Sequence, residues 1–281
     1  MITRFILVIA LSCFSLLNVF GQSELAKFQQ EMKKIETEEG KYRDVIWGKD
    51  KDKYTQAQKD SVYLLLKKVR EKKLAFARKA LDEHRDDVSF LWVLDVYVHN
   101  FLTLDELEAE LQKFSAGVQT TEKWQDKMDF VKYARLNQVG NKCIDFAVKG
   151  HDEKEIRLSE LLKKHKLVLI DFWASWCKAC RVTMPHLKEI YPQYKAKGVE
   201  FFSVSLDDKE EAWKKAYADE ALPWIDGSNL LGWKDPIAKQ YAIRGIPHKI
   251  LIGSDGTIVS LDLNGLNAVE KAIDEYLAKM K

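Results

Sequence analysis

Cys177 and Cys180 stand two residues apart in LIDFWASWCKACRVTMP, residues 169–185, after an apolar run and ahead of a helical pattern. Such a pair can clamp a metal, form a structural disulfide, or open and close as a working couple. A structural zinc site needs four ligands, usually from two separated pairs. Such a site would use His186 beside the pair, but no second pair exists, and Cys143 would have to arrive from another strand. No metal site is therefore expected. A helix beginning at Cys177 would leave its first N–H groups without partners and place partial positive charge at the sulfur. Lys178, next in sequence, adds charge and is read as a tuning residue. These effects should pull the Cys177 thiol well below its ordinary value and make it a nucleophile near neutral pH. Cys180, one turn inward, should be more buried, less acidic, and placed to attack a mixed disulfide formed on Cys177. The spacing also suits a disulfide between the two, so no cofactor beyond that redox-active pair is called for.

The elements that must hold this pair follow from the apolar pattern. Leu167 to Ala174 is a nearly continuous apolar run, as a strand covered on both faces should be, and only Asp171 interrupts it. Helical spacing resumes from Cys177 to about Ala196, and Val199 to Leu206 reads as a second buried strand. Cys143 to Val148 is a candidate strand, Arg157 to Lys164 a short helix, and Asp208 to Ala218 and Asp235 to Tyr241 further helices. Lys249 to Gly253 and Thr257 to Leu263 flank an Asp-Gly turn at Asp255-Gly256, and Ala268 to Met280 closes as an amphipathic helix. Strands alternating with helices and ending in a hairpin give an α/β fold with a mixed sheet.

Upstream the composition changes. Residues 22–138 lack proline, are rich in Lys, Glu, Leu and Ala, and read as an all-α N-terminal domain. Val62, Leu65, Leu66, Val69, Phe76, Ala77, Ala80 and Leu81 recur at helical spacing, and Thr103 with Glu106 forms a capping box. Ser115-Ala116-Gly117 is read as a stop, followed by a last helix carrying Trp124, Met128 and Val131. The turn at residues 138–141 sets the boundary expected for a second domain, 139–281. Residues 1–21, with Arg4 ahead of a short apolar core and a small residue at Gly21, read as a signal peptide. That core is shorter than the roughly 20 apolar residues of a spanning helix. Cys13 offers lipidation as an alternative, although Ala10 stands where a branched residue is preferred. The mature chain is then extracytoplasmic, in the periplasm or cell envelope, without a spanning segment, and holds Cys143, Cys177 and Cys180. It is too large and too poor in cysteine to be a disulfide scaffold. Its 45 basic and 43 acidic residues nearly balance, which gives no reason to expect nucleic acid as a partner.

WASWCKAC resembles the active-site sequence of thioredoxin-fold proteins, and of the exported thiol–disulfide oxidoreductases of the TlpA/ResA type in particular. The likeness covers residues 139–281. Asp171 lies six residues before Cys177, where the family carries a buried acid, and Pro185 eight after it, where the family's active-site helix is kinked. Arg244-Gly245-Ile246-Pro247 is similar to the loop whose cis-proline faces the cysteines, and Ser254 to Val259 to the family's hairpin. The resemblance implies a thioredoxin-like domain in which Asp171, its pKa raised by burial, exchanges a proton with Cys180 through water. It implies that Trp176, Ile246 and Pro247 contact substrate, with the Ile246 backbone pairing an extended segment. Trp173 and Phe172 are read as core, His248 as a surface histidine.

The chain departs from the family in four places: Lys178-Ala179 replaces the proline-containing dipeptides common between the cysteines, Thr183 a glutamate, Gly253 an aspartate, and His248 a small hydroxyl residue. The implied activity is disulfide exchange with protein dithiols or disulfides, running as a reductase fed by a membrane electron carrier. The alternatives are an oxidase or isomerase using the same cysteines, or a peroxiredoxin-like peroxidase. The last wants a threonine three residues before the attacking cysteine, where Ala174 stands.

Overall fold

The computed structural model describes residues 24–261, 263, 265 and 267–280; the expected leader at 1–21, with Cys13, lies outside them. Packing divides the chain into two units, Met1–Met128 and Asp129–Lys281. Among the described residues no helix is long and apolar enough to cross a membrane.

The first unit is helical. It is built from α1 (Ile2–Trp47), of which the part from Glu24 on is described, α2 (Gln56–Glu83), α3 (Leu91–Val93), α4 (Leu104–Gln112), α5 (Ala116–Gln119) and the start of α6 (Glu122–Leu136). Phe28 of α1 stacks on Phe76 of α2 at 5.2 Å, and Met32, Leu66, Val69 and Leu81 are buried. The face read from residues 62–81 is thus largely core, but Leu65 is exposed. Thr103 accepts from the Glu106 N–H while the Glu106 side chain accepts from the Thr103 N–H, closing the capping box of α4. Past α4 the chain does not simply stop, because Ala116 opens the short α5.

The second unit contains a seven-stranded mixed sheet in the order β2-β1-β5-β4-β3-β6-β7. Its strands are β1 (Ala147–Gly150), β2 (Glu155–Arg157), β3 (Leu167–Trp173), β4 (Val199–Ser205), β5 (Ile225–Ser228), β6 (His248–Gly253) and β7 (Ile258–Ser260). Central β3 runs parallel to β4 and antiparallel to β6. Every residue of β3 and β4 is buried, as their apolar runs require. Helices α8 (Lys178–Ala196), α9 (Glu210–Glu220) and α11 (Ala268–Lys279) cover the face bearing Leu167, Leu169 and Trp173. Helices α7 (Leu158–Lys164) and α10 (Pro236–Gln240) cover the face bearing Val168, Ile170 and Phe172.

Strands β1, β2 and β5 differ from the sequence reading, which expects no strand at Glu155–Arg157 or Ile225–Ser228. The segment expected as a strand from Cys143 to Val148 becomes one only at Ala147. Before that, Cys143 N–H donates to Gly256 O beside the β6–β7 turn, at the opposite edge of the sheet from β1. The intervening residues cross the α7/α10 face, and Ile144 and Phe146 are apolar because they pack there. β5 carries a buried Asp226 and Ser228, so it lacks the apolar pattern by which β3 and β4 are recognised.

Candidate functional site

The site begins where β3 ends. Trp173 and Ala174 are fully buried, and three residues later Cys177 sits at the N-cap of α8 in extended backbone geometry. Its Sγ accepts the Cys180 N–H at 3.1 Å, one of the unpaired donors of the first helical turn. Cys177 and Cys180 form a disulfide with an S–S distance of 2.03 Å and a Cα–Cα distance of 5.3 Å. Cys177 is 6% exposed and Cys180 1%, so the first sulfur is the accessible one. Lys178, the first helical residue, is exposed beside it.

Asp171 lies six residues before Cys177, on the α8 side of β3, because side chains alternate along a strand and Leu169 and Trp173 face that way. Lys249 of β6 stands directly opposite in register. Its Nζ is 3.3 Å from Asp171 Oδ1, and both side chains are buried. The two charges are close enough to pair, but neither Asp171 oxygen receives an aligned hydrogen bond. Burial pushes the Asp171 carboxyl above its ordinary value, and Lys249 opposes that shift without cancelling it. Lys249 also borders a small gap with Thr183, His186 and Leu187 of α8, the helix that carries both cysteines.

The loop after α10 supplies the remaining expected residues. The Ile246–Pro247 peptide is cis. Ile246 packs against the apolar cluster to which Cys177 and Cys180 belong, and against the cluster on the other face of the sheet as well. Trp176 is 53% exposed, whereas Trp173 and Phe172 are core. His248 is partly buried, with its ring 6.2 Å from that of Phe172. Cys143 is a free thiol, raised in pKa chiefly by burial, at the β6–β7 turn. Asp171 hydrogen-bonds to neither cysteine. Among the described residues no cluster of three or more His, Cys, Asp or Glu is arranged to hold a metal ion.

Four residues escape the sequence reading. Lys249 had a faint signal, a lysine opening an apolar strand. Asp207 had none. Its buried carboxylate accepts the Ser175 N–H at 2.8 Å, the Ser175 hydroxyl at 2.5 Å and the Ser205 hydroxyl at 2.7 Å, and so fixes the residue two before Cys177. Asp226 accepts the indole N–H of Trp173 at 2.8 Å and of Trp213 at 2.7 Å, with His151 Nε2 at 2.9 Å, which anchors the end of β3 from below. Trp233, half exposed, lies with its ring 6.3 Å from that of Trp176.

A mixed sheet whose central strand delivers a Cys-x-x-Cys pair to a helix N-terminus, with a cis-proline ahead of the neighbouring strand β6, defines a thioredoxin-like domain. Residues 139–261 match the model of the AhpC/TSA family. The thiol-disulfide oxidoreductase ResA of Bacillus thuringiensis subsp. konkukian is 32% identical over 151 residues, spanning 54% of this chain and 83% of that relative. ResA of a Bacillus cereus strain is 32% identical over 147 residues, 51% of this chain and 79% of that one. A thioredoxin-like protein from Bacteroides caccae superposes over 79% of this chain and 83% of its own, with a TM-score of 0.51 at 21% identity, and shares the fold. The chain belongs to the ResA family of thiol-disulfide oxidoreductases.

Proposed function

We propose that this protein works outside the cytoplasm as a reductase of protein disulfides, with Cys177 as the attacking sulfur and Cys180 as the resolving one. The observation that carries the reading is the Cys177–Cys180 disulfide at the start of α8, where the Cys180 N–H points at the more accessible sulfur. In the reduced protein that N–H and the helix N-terminus favour the Cys177 thiolate. The thiolate attacks one sulfur of a substrate disulfide, forms a mixed disulfide and releases the other sulfur as a thiolate, which takes a proton. Cys180 then loses its proton and attacks Cys177. The second substrate sulfur leaves as a thiol, and the Cys177–Cys180 disulfide closes. Two electrons pass from the pair to the substrate.

Asp171 is the group we assign to take the Cys180 proton. Burial raises its carboxyl above the ordinary value, a direction that suits a group that must both accept and return a proton. Ile246 and Pro247 are assigned to the substrate backbone, and Trp176 to its side chains. Lys178 tunes the thiolate. A membrane electron carrier is the proposed source of the electrons that reopen the disulfide, and the leader at 1–21 is the proposed route of export. Ile246 before the cis-proline follows the thioredoxin pattern and favours the reducing direction. A helical N-terminal domain followed by a thioredoxin-like domain belongs to the same reading; composition puts the boundary at 138/139, whereas packing divides the chain at 128/129.

The test has two parts. Cys177→Ser should abolish reduction of insulin disulfides while Cys143→Ser keeps it nearly intact. Titration of the Cys177–Cys180 couple against glutathione should give a potential near thioredoxin's roughly −270 mV, whereas one near roughly −120 mV would make the protein an oxidant. Wild-type rates in Cys177→Ser would remove the assignment altogether.

A further inference from the structure

Cys177 is only 6% exposed, so an incoming disulfide must seat on the surface around it. That surface is apolar on one side. Trp176 is 53% exposed, Trp233 49% and Leu231 49%. The two indole rings lie 6.3 Å apart, tilted by 46°. The two half-exposed indoles, with Leu231 two residues before Trp233, present large apolar side chains to water near the cysteine helix, the kind of surface on a monomer that is commonly functional.

Neither tryptophan is carried on a loose loop. Ser175, just before Trp176, is held by two hydrogen bonds to the Asp207 carboxylate. Gly232, just before Trp233, donates its N–H to the Asp207 carbonyl at 3.4 Å. Leu230 N–H donates to Ser228 Oγ at 3.1 Å, and Asn229 Nδ2 to Asp235 Oδ2 at 3.1 Å. Leu230 and Gly232 both take left-handed backbone, with φ of 58° and 57°, which turns the chain sharply on either side of Leu231. One residue, Asp207, thus ties the catalytic loop and the Trp233 loop together. The pair is presented already ordered, so a ligand need not bear the entropy of assembling it.

We infer that Trp233 is a specificity-determining residue that completes, with Trp176, an aromatic platform for a polypeptide segment with an aromatic or large aliphatic side chain beside its disulfide cysteine. The inference rests on the exchange reading of Cys177 above. The platform is continuous with the one sulfur that meets substrate, which argues for a substrate chain over a second copy of this protein. A second copy seated there would cover Cys177. A bare disulfide such as that of glutathione has no bulky apolar side chain to lay across the second ring.

The test uses the full chain, reduced beforehand, and second-order rate constants measured by acid quench. Three disulfides are compared: two synthetic peptides identical except for Phe or Ser beside the cysteine, and glutathione disulfide. Wild type should reduce the Phe peptide about tenfold faster than the Ser peptide, equivalent to about 1.4 kcal/mol. Trp233→Ala should shrink that ratio to about twofold or less, Trp233→Phe should keep most of it, and glutathione disulfide should react within about twofold at the same rate in all three proteins. Equal rates for the two peptides in wild type would overturn the inference. So would a Trp233→Ala loss shared equally by all three disulfides, or one that changes the oligomeric state by sedimentation and leaves the peptide ratio alone. If wild type reduces none of them, glutathione disulfide included, the exchange reading itself fails and takes the inference with it.

Discussion

The buried pair of Asp171 and Lys249 places a titratable charge beneath the helix that carries both cysteines, and its sign can be tested by stability. Burial raises the Asp171 carboxyl and Lys249 opposes the rise. A carboxyl raised in the folded state favours folding while protonated; that contribution is complete below its unfolded value and is lost as pH climbs through the folded one. Wild type should therefore lose stability from this group as pH rises. Lys249→Met removes the nearby cation, so the folded carboxyl rises further and more stability is lost on ionisation. Leaving one member of a buried pair without its partner typically costs about 3–5 kcal/mol. Urea unfolding should show that gap at about pH 8, and the gap should shrink as pH falls and the carboxyl is protonated. A gap of constant size across the range would mean that lost packing of the lysine stem, and not the ionised carboxylate, is responsible.

The loop between β3 and α8 sets the aim of Cys177, and its fixed point is Asp207 of the segment after β4. Asp207→Ala removes three hydrogen bonds to the Asp207 carboxyl group and strands the Ser175 and Ser205 donors. The expected cost is about 2–4 kcal/mol, against about 1 kcal/mol for Ser175→Ala, which removes one of them. Amide exchange at Trp176 and Cys177 should quicken in Asp207→Ala even where global unfolding is negligible. Unchanged exchange there would show that the loop is held by other means. This anchor was illegible in the sequence, because nothing local marks which of two adjacent aspartates, Asp207 or Asp208, turns inward. Elements held by apolar burial were legible: β3 and β4 announce themselves as unbroken runs, the Thr103–Glu106 capping box as a spacing, and Cys177 at the start of α8 as a strand-to-helix change. Elements held by tertiary hydrogen bonds were not. β5 is internal because the Trp173 and Trp213 indoles satisfy Asp226 and because Ser228 Oγ donates to Ser205 O, contacts that no periodicity encodes. Asp171 stood out as the lone acid in an apolar run, while its partner Lys249 depends on the register of β3 with β6.

At the scale of the whole molecule, the change of composition near residue 139 and the division by packing do not coincide. The family match starts at residue 139, whereas the second unit starts at Asp129, within α6. The second half of that helix is bound into the thioredoxin-like unit by its own contacts. Asp129 pairs with Lys239 at 2.9 Å, and the Phe130 ring lies 5.7 Å from the Arg244 guanidinium. Asn137, buried, donates to Gln240 O at 2.6 Å, and Asn141 Nδ2 caps the helix on the carbonyls of Arg135 and Leu136. Gln240 and Arg244 bracket the turn that leads into the Ile246–Pro247 loop, so this half-helix braces the segment assigned to substrate. A fragment of residues 129–281 should therefore be more stable than one of 139–281. Together a buried hydrogen bond, a half-exposed ion pair and a cation–π contact amount to about 2 kcal/mol. For a domain of this size that is a difference in Tm of about 5–8 °C. Both fragments should reduce glutathione disulfide at similar rates, since the cysteines and their helix are intact in each. The shorter fragment should lose more on a peptide disulfide, because the loop assigned to the peptide backbone has lost its brace. Equal Tm values would place the boundary at 139 and leave the second half of α6 to the helical unit.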